Sequence, residues 1–67
     1  MKADVVVSPQ GSVLLFDLVT SAAESWVEEH VEPDAQRFGG AVVVEQRYAG
    51  DLASAIAAAG LLVEVVR

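Results

Sequence analysis

Residues 21–34 read SAAESWVEEHVEPD, and reading them as a helix makes the chain a sheet with helices packed on it. Ser21 followed three residues later by Glu24 has the form of a capping box, which opens a helix by satisfying amides that have no partner in the first turn. Pro33 biases the residue before it toward extended backbone, so the helix should stop before it. Between these limits Ala22, Ala23, Trp26, Val27, His30 and Val31 recur at steps of three and four. That spacing predicts one amphipathic helix with those residues toward the core. Glu24, Glu28, Glu29 and Glu32, with Asp34 just after, are left for the outer side, with no Lys or Arg among them.

The charges of this helix oppose its own electrostatics. Glu24 lies in the first turn, where the dipole favours an anion, but Glu28, Glu29 and Glu32 lie toward the C-terminal end, where each is disfavoured by about 0.3–1 kcal/mol. Glu24 with Glu28, and Glu28 with Glu32, are like-charge pairs four apart, each costing about 0.2–0.5 kcal/mol. Local stability therefore does not select these residues. Solubility and a basic partner are the two remaining reasons for them.

Toward the N-terminus, the valines of residues 4–7 predict a strand, residues 8–11 (SPQG) a turn, and residues 13–19 a second strand, so that the pair forms a hairpin. On the second strand Leu14, Phe16 and Leu18 alternate with Val13, Leu15, Asp17 and Val19. Both of its faces are largely apolar, as in a strand interior to a sheet. Toward the C-terminus, residues 34–40 are a connection and residues 41–45 a third strand. Asp51 is the expected N-cap of a second helix and Gly60 its stop, with Leu52, Ala55, Ile56 and Ala59 facing the sheet. Residues 61–66 form a fourth strand.

The order β-β-α-β-α-β predicts an α+β fold: a single-domain, two-layer sandwich of a four-stranded, mainly antiparallel or mixed sheet with two helices on one face. The other sheet face would carry Asp17, Glu45 and Glu64 among Leu15, Val43, Leu62 and Val66. So mixed a face suggests partial cover, for which a second copy is one candidate.

Sixty-seven residues support one core and no more. There are no cysteines, so disulfides and thiolate metal sites are excluded, and the chain suits a reducing compartment. No apolar run reaches the roughly 18 residues of a membrane span, and residues 1–12 lack the apolar centre of a signal peptide. A soluble, cytoplasmic protein is expected. Ten acidic against four basic residues give a net charge of -6, which argues against direct binding of nucleic acid or anionic membrane. Between Lys2 and Arg37 stand seven acids and no basic side chain.

Motifs for chemistry are lacking. His30, the only histidine, has no nucleophile at a recognisable spacing, and the Gly39-Gly40 pair lacks the spacing and following Lys of a phosphate loop. Carboxylates on an outer helix face stay solvated and alike, whereas acid–base catalysis needs environments that push two of them apart. His30 with Glu29 or Asp34 falls short of a metal ligand set. No enzyme activity, cofactor or metal is expected. Trp26 is the natural centre of a small core and Tyr48 a further core aromatic, although Tyr48 beside Arg47 has the composition of an interface anchor.

From Trp26 the chain reads WVEEHVEPDAQRFGGAVVVEQRY, followed by a short helix, and in this it resembles small acidic proteins carried by prophages and plasmids. Some very small acidic members of that population are anti-CRISPR proteins, and the size and charge here are similar to those of inhibitors of type I effector complexes, type I-C in particular. The likeness covers about half the chain and has no catalytic signature. It implies stoichiometric inhibition, with an acidic surface occupying the DNA-entry or PAM-reading surface of a Cascade subunit.

The expected function is thus a DNA-mimicking inhibitor of a basic nucleic-acid-binding protein, acting through Glu24, Glu28, Glu29, Glu32 and Asp34, with Asp17, Glu45 and Asp51 as extensions. The alternative is an accessory or antitoxin-like protein that binds through an apolar sheet or helix face. Salt separates the two, because charge mimicry weakens steeply with ionic strength and apolar docking does not.

Overall fold

A computed structural model describes residues 3–31 and 37–66, without the side chain of Phe38. In chain order the elements are β1 (Val5–Gln10), β2 (Val13–Leu18), α1 (Ser21–His30), β3 (Arg37–Phe38), β4 (Ala41–Glu45), α2 (Gln46–Ala58) and β5 (Val63–Val65). They form one mixed sheet in the order β3-β4-β2-β1-β5. Three of its pairings are antiparallel, and β5 alone lies parallel to its neighbour, β1. The α+β sandwich expected from the sequence is present, and its four main strands carry a fifth of two residues at the β4 edge.

The hairpin is tighter than the expected four-residue turn. Gln10 pairs with Val13, leaving Gly11 and Ser12 as the whole loop. Gly11 has φ 67° and, among the described residues, no other residue type takes a positive φ, so a glycine at the first central position supplies the twist that matches the strands. Pro9, expected in the turn, pairs with Leu14 inside β1. The sheet tolerates it because Val5 donates to Leu62 O and Val7 O accepts from Val66. Odd residues of β1 therefore aim at β5, whose pairing ends at Val7. The donor that proline lacks would have pointed past the end of that strand.

One face of the sheet carries the core. Val5 and Val7 of β1, Phe16 and Leu18 of β2, and Val42 and Val44 of β4 meet Ala23 and Val27 of α1 and Ala49 and Ile56 of α2. Both helices therefore lie on the same side. Phe16, Ile56 and Val5 are the largest fully enclosed side chains, each contributing about 1.5–3 kcal/mol by leaving water. Trp26 is not the centre of the core as expected: it is half-buried at its margin. The strand valines and Phe16 already fill the space between sheet and helices, and an indole has room only at the rim. Tyr48 is not a core aromatic either, since it stands 53% exposed on the first turn of α2.

Both helices begin earlier than the sequence suggests. The cap of α1 is Thr20, whose Oγ1 accepts from the Ala23 amide at 3.2 Å, so Ser21 is already helical. Of the expected apolar face, Ala23 and Val27 are buried and Trp26 and Val31 half-buried, while Ala22 and His30 are exposed. The helix α2 starts directly after β4 with Glu45 as a cap that makes no side-chain bond, and the Gln46 amide reaches Ser12 O at 3.3 Å. Asp51 therefore sits in the second turn and caps nothing. The buried stripe is accordingly Ala49, Leu52, Ala53 and Ile56 rather than Leu52, Ala55, Ile56 and Ala59; Ala55 and Ala59 are exposed. Gly60 ends α2 as expected: it has φ 88°, its amide donates to Ala57 O, and the next amide, of Leu61, donates to Ile56 O. These are the two bonds of a Schellman ending.

Candidate functional site

α1 is anchored at its N-terminus by a chain of hydrogen bonds that reaches across the fold. Thr20 Oγ1 accepts from Ala23 and donates to Asp4 Oδ1 at 2.8 Å, and Asp4 Oδ2 accepts from the Leu62 amide at 2.8 Å. The Leu62 amide first and the Thr20 hydroxyl second hold the Asp4 carboxyl below its ordinary value, since both bonds favour the ionised form. Ala23 and Val27 then fix which side of the helix turns inward.

That anchoring turns the acids outward. Glu24, Glu28 and Glu29 are all exposed. Glu24 and Glu28 lie one turn apart, about 6 Å along the axis, and Glu29 lies about 100° round from Glu28. The acids therefore cover two flanks of the outer face rather than a single row. Glu28 and Glu29 fall in the last turn of a ten-residue helix, where the dipole opposes them. Among the described residues the one ion pair is between Arg47 and Glu45, at 3.5 Å between well-exposed groups, so no described arginine neutralises the helix glutamates. Glu32 and Asp34 lie outside the described residues. The expected extensions separate from the helix: Asp17 and Glu45 stand on the sheet face opposite to it, and Asp51 on the exposed side of α2.

His30 stacks on Trp26, with ring centroids 4.3 Å apart and planes 13° from parallel. Its Nδ1 lies 2.8 Å from the Trp26 carbonyl; a carbonyl only accepts, so Nδ1 carries the hydrogen. His30 also lines an open depression of about 690 Å³ between the end of α1, β4 and the start of α2, with Val31, Val44, Tyr48, Leu52 and Glu45 among its other walls. Glu45 is the one carboxylate among the described lining residues, and it faces Arg47. Among the described residues no three His, Asp or Glu side chains gather as metal ligands. The Arg47 guanidinium lies 4.9 Å from the centre of the Tyr48 ring, a cation–π contact on the surface.

Sequence reasoning missed two features of this surface. The Asp4–Thr20–Leu62 junction joins residues 58 positions apart, which no local pattern signals. The exposure of Tyr48 was legible in principle, because with Ala49, Leu52, Ala53 and Ile56 as the buried stripe, Tyr48 falls to its side. The chain matches no protein-family model, no curated protein and no solved structure.

Proposed function

We propose that the chain is a non-enzymatic, stoichiometric inhibitor that binds a basic nucleic-acid-binding protein through the acid-coated face of α1. The observation that supports this reading is the set Glu24, Glu28 and Glu29: exposed, unpaired with any described arginine, and kept on a helix whose dipole opposes Glu28 and Glu29 and whose spacing sets Glu24 against Glu28. A groove that grips phosphates offers Lys and Arg to negative charge spaced roughly 3.4 Å per nucleotide along a strand. Carboxylates one helical turn apart, at about 6 Å, present anions on the same scale. Such a groove attracts the helix from a distance and is then occupied by it. The resemblance to anti-CRISPR proteins makes a type I effector complex the first partner to test, with the DNA-entry or PAM-reading surface of a Cascade subunit as the place of binding.

The test measures binding of labelled target duplex to a type I-C effector complex while the protein is titrated in. Inhibition should saturate near one equivalent, weaken at least tenfold at high salt, and disappear in the triple variant Glu24→Gln, Glu28→Gln, Glu29→Gln. That variant should fold about as well as the parent, because the favourable first-turn charge of Glu24 is lost together with two charges the dipole opposes and one like-charge pair. Inhibition that survives the three substitutions removes the acidic helix from the mechanism, and no inhibition at all removes the effector complex as the partner.

A further inference from the structure

The sheet has a second face, which the helices do not cover. Strand alternation and register place Val13, Leu15 and Asp17 of β2, Val43 and Glu45 of β4, Val6 and Ser8 of β1, and Glu64 of β5 together on it. Leu15 sits between Val43 and Ser8, and Val6 between Asp17 and Glu64. Leu62 and Val66, on the same side by alternation, are 46% and 47% exposed. Val6, Val13, Leu15 and Val43 are half-buried and stand apart from the core cluster, and the largest apolar patch on a small protein is often functional.

The charges on this face choose between occupants. Asp17 and Glu45 stand at opposite ends of the Leu15–Val43 pair, about 14 Å apart by strand rise, and Glu64 lies two strands from Asp17, about 10 Å away. Among the described residues the one basic side chain at this face is Arg47, at its margin against Glu45. A second copy would bring three more carboxylates against these three, between molecules that each carry a net charge of -6. Apolar residues bracketed by carboxylates instead complement an apolar stripe bracketed by cations. The six residues of β2 span about 20 Å, the length of a helix of about 13 residues, and a helix is the element that layers on an open sheet face.

We propose that this face docks a cationic amphipathic helix of a partner protein, with its apolar stripe on Leu15 and Val43 and its Lys or Arg residues on Asp17, Glu45 and Glu64. The face meets α1 only at its β4 margin, where Val43 and Glu45 share the depression with His30, and the proposal does not rest on the reading of the α1 glutamates.

The probe is a 14-residue peptide of Leu and Lys in helical period, titrated into the ¹⁵N-labelled full chain while amide shifts are followed by NMR. Shifts should concentrate on β2, β4 and β1. Affinity should fall at least tenfold in Asp17→Asn/Glu64→Gln and again in Leu15→Ser/Val43→Thr, each checked for folding by circular dichroism, and should survive the triple glutamine variant of α1. Shifts confined to α1, affinity indifferent to the sheet variants, or no shifts at millimolar peptide would each overturn the proposal. So would sedimentation of the protein alone as a dimer that Leu15→Ser dissociates, since the face would then belong to a second copy.

Discussion

Asp4 accepts hydrogen bonds from the cap of α1 and from the first residue after the α2 turn, while its own amide donates to Leu62 O and its carbonyl accepts from Val19. One carboxylate thereby ties together both edges of the helix layer. Its pKa is lowered from 3.8, so the folded state prefers the ionised form. The stabilisation is complete above that ordinary value and is lost as pH falls from there through the lower folded value. Asp4→Asn keeps the shape but can satisfy only one of its two donors, because the amide's NH2 must face the other. The gap in thermal midpoint between parent and variant should therefore be widest near neutral pH and close as pH drops below about 4; a gap that stays constant with pH would show that charge on Asp4 is irrelevant. Thr20→Ala should cost about 1 kcal/mol as a lost cap and should also shrink the effect of Asp4→Asn, which a double-mutant cycle by chemical denaturation reads directly. Thr20 and Ser21 are adjacent residues of equal capping type, and the Ser21–Glu24 spacing favours the wrong one. What decides is the reach to Asp4, which only the folded chain contains.

At the level of elements, α2 shows why its start was illegible and its end was not. The stop depends on a local conformation that glycine alone takes easily, and Gly60 has it at φ 88°. The start depends on Ser12 O and on burial of Ala49, both supplied by the sheet, while the one residue of capping type, Asp51, misleads. The helix spacing of Ala49, Leu52, Ala53 and Ile56 carries the true boundary, but Gly50 within it reads as a turn residue. The two glycines of α2 should respond oppositely to the same substitution. A Cβ at Gly50 meets open space and sits in a helix interior, so Gly50→Ala should stabilise by about 0.5–1 kcal/mol. Gly60→Ala forces a left-handed alanine and should cost about 1–2 kcal/mol. Urea midpoints measure both, and a shared sign would contradict the boundary at Ala58. In α1 the sequence reading of an outward acidic face holds for Glu24, Glu28 and Glu29. The spread of the acids over two flanks follows from 3.6 residues per turn once Ala23 and Val27 define the inside.

Across the whole molecule, which measures 27 × 27 × 22 Å, negative charge stands on both layers: Glu24, Glu28 and Glu29 outside the helices, and Asp17, Glu45 and Glu64 across the sheet. The alternation of β2 made this two-sidedness readable, because Leu14, Phe16 and Leu18 could serve only one face and Leu15 and Asp17 only the other. The edge strand β3 was not readable, since two residues have no period. With a net charge of -6 and one described ion pair, repulsion opposes the compact state. The screening length is about 10 Å at 0.1 M salt and about 3 Å at 1 M. The Glu24–Glu28 spacing of about 6 Å falls between these, so added salt quiets repulsion within α1 as well as between faces. Raising sodium chloride from about 0.02 M to about 1 M should therefore raise the thermal midpoint, whereas the same salt should weaken capture of any basic partner. The triple glutamine variant should show a smaller rise, in proportion to the charge removed. A midpoint that falls with salt would mean that attraction dominates the folded state, and the glutamates of α1 would then be paired within the chain and not free to meet cations elsewhere.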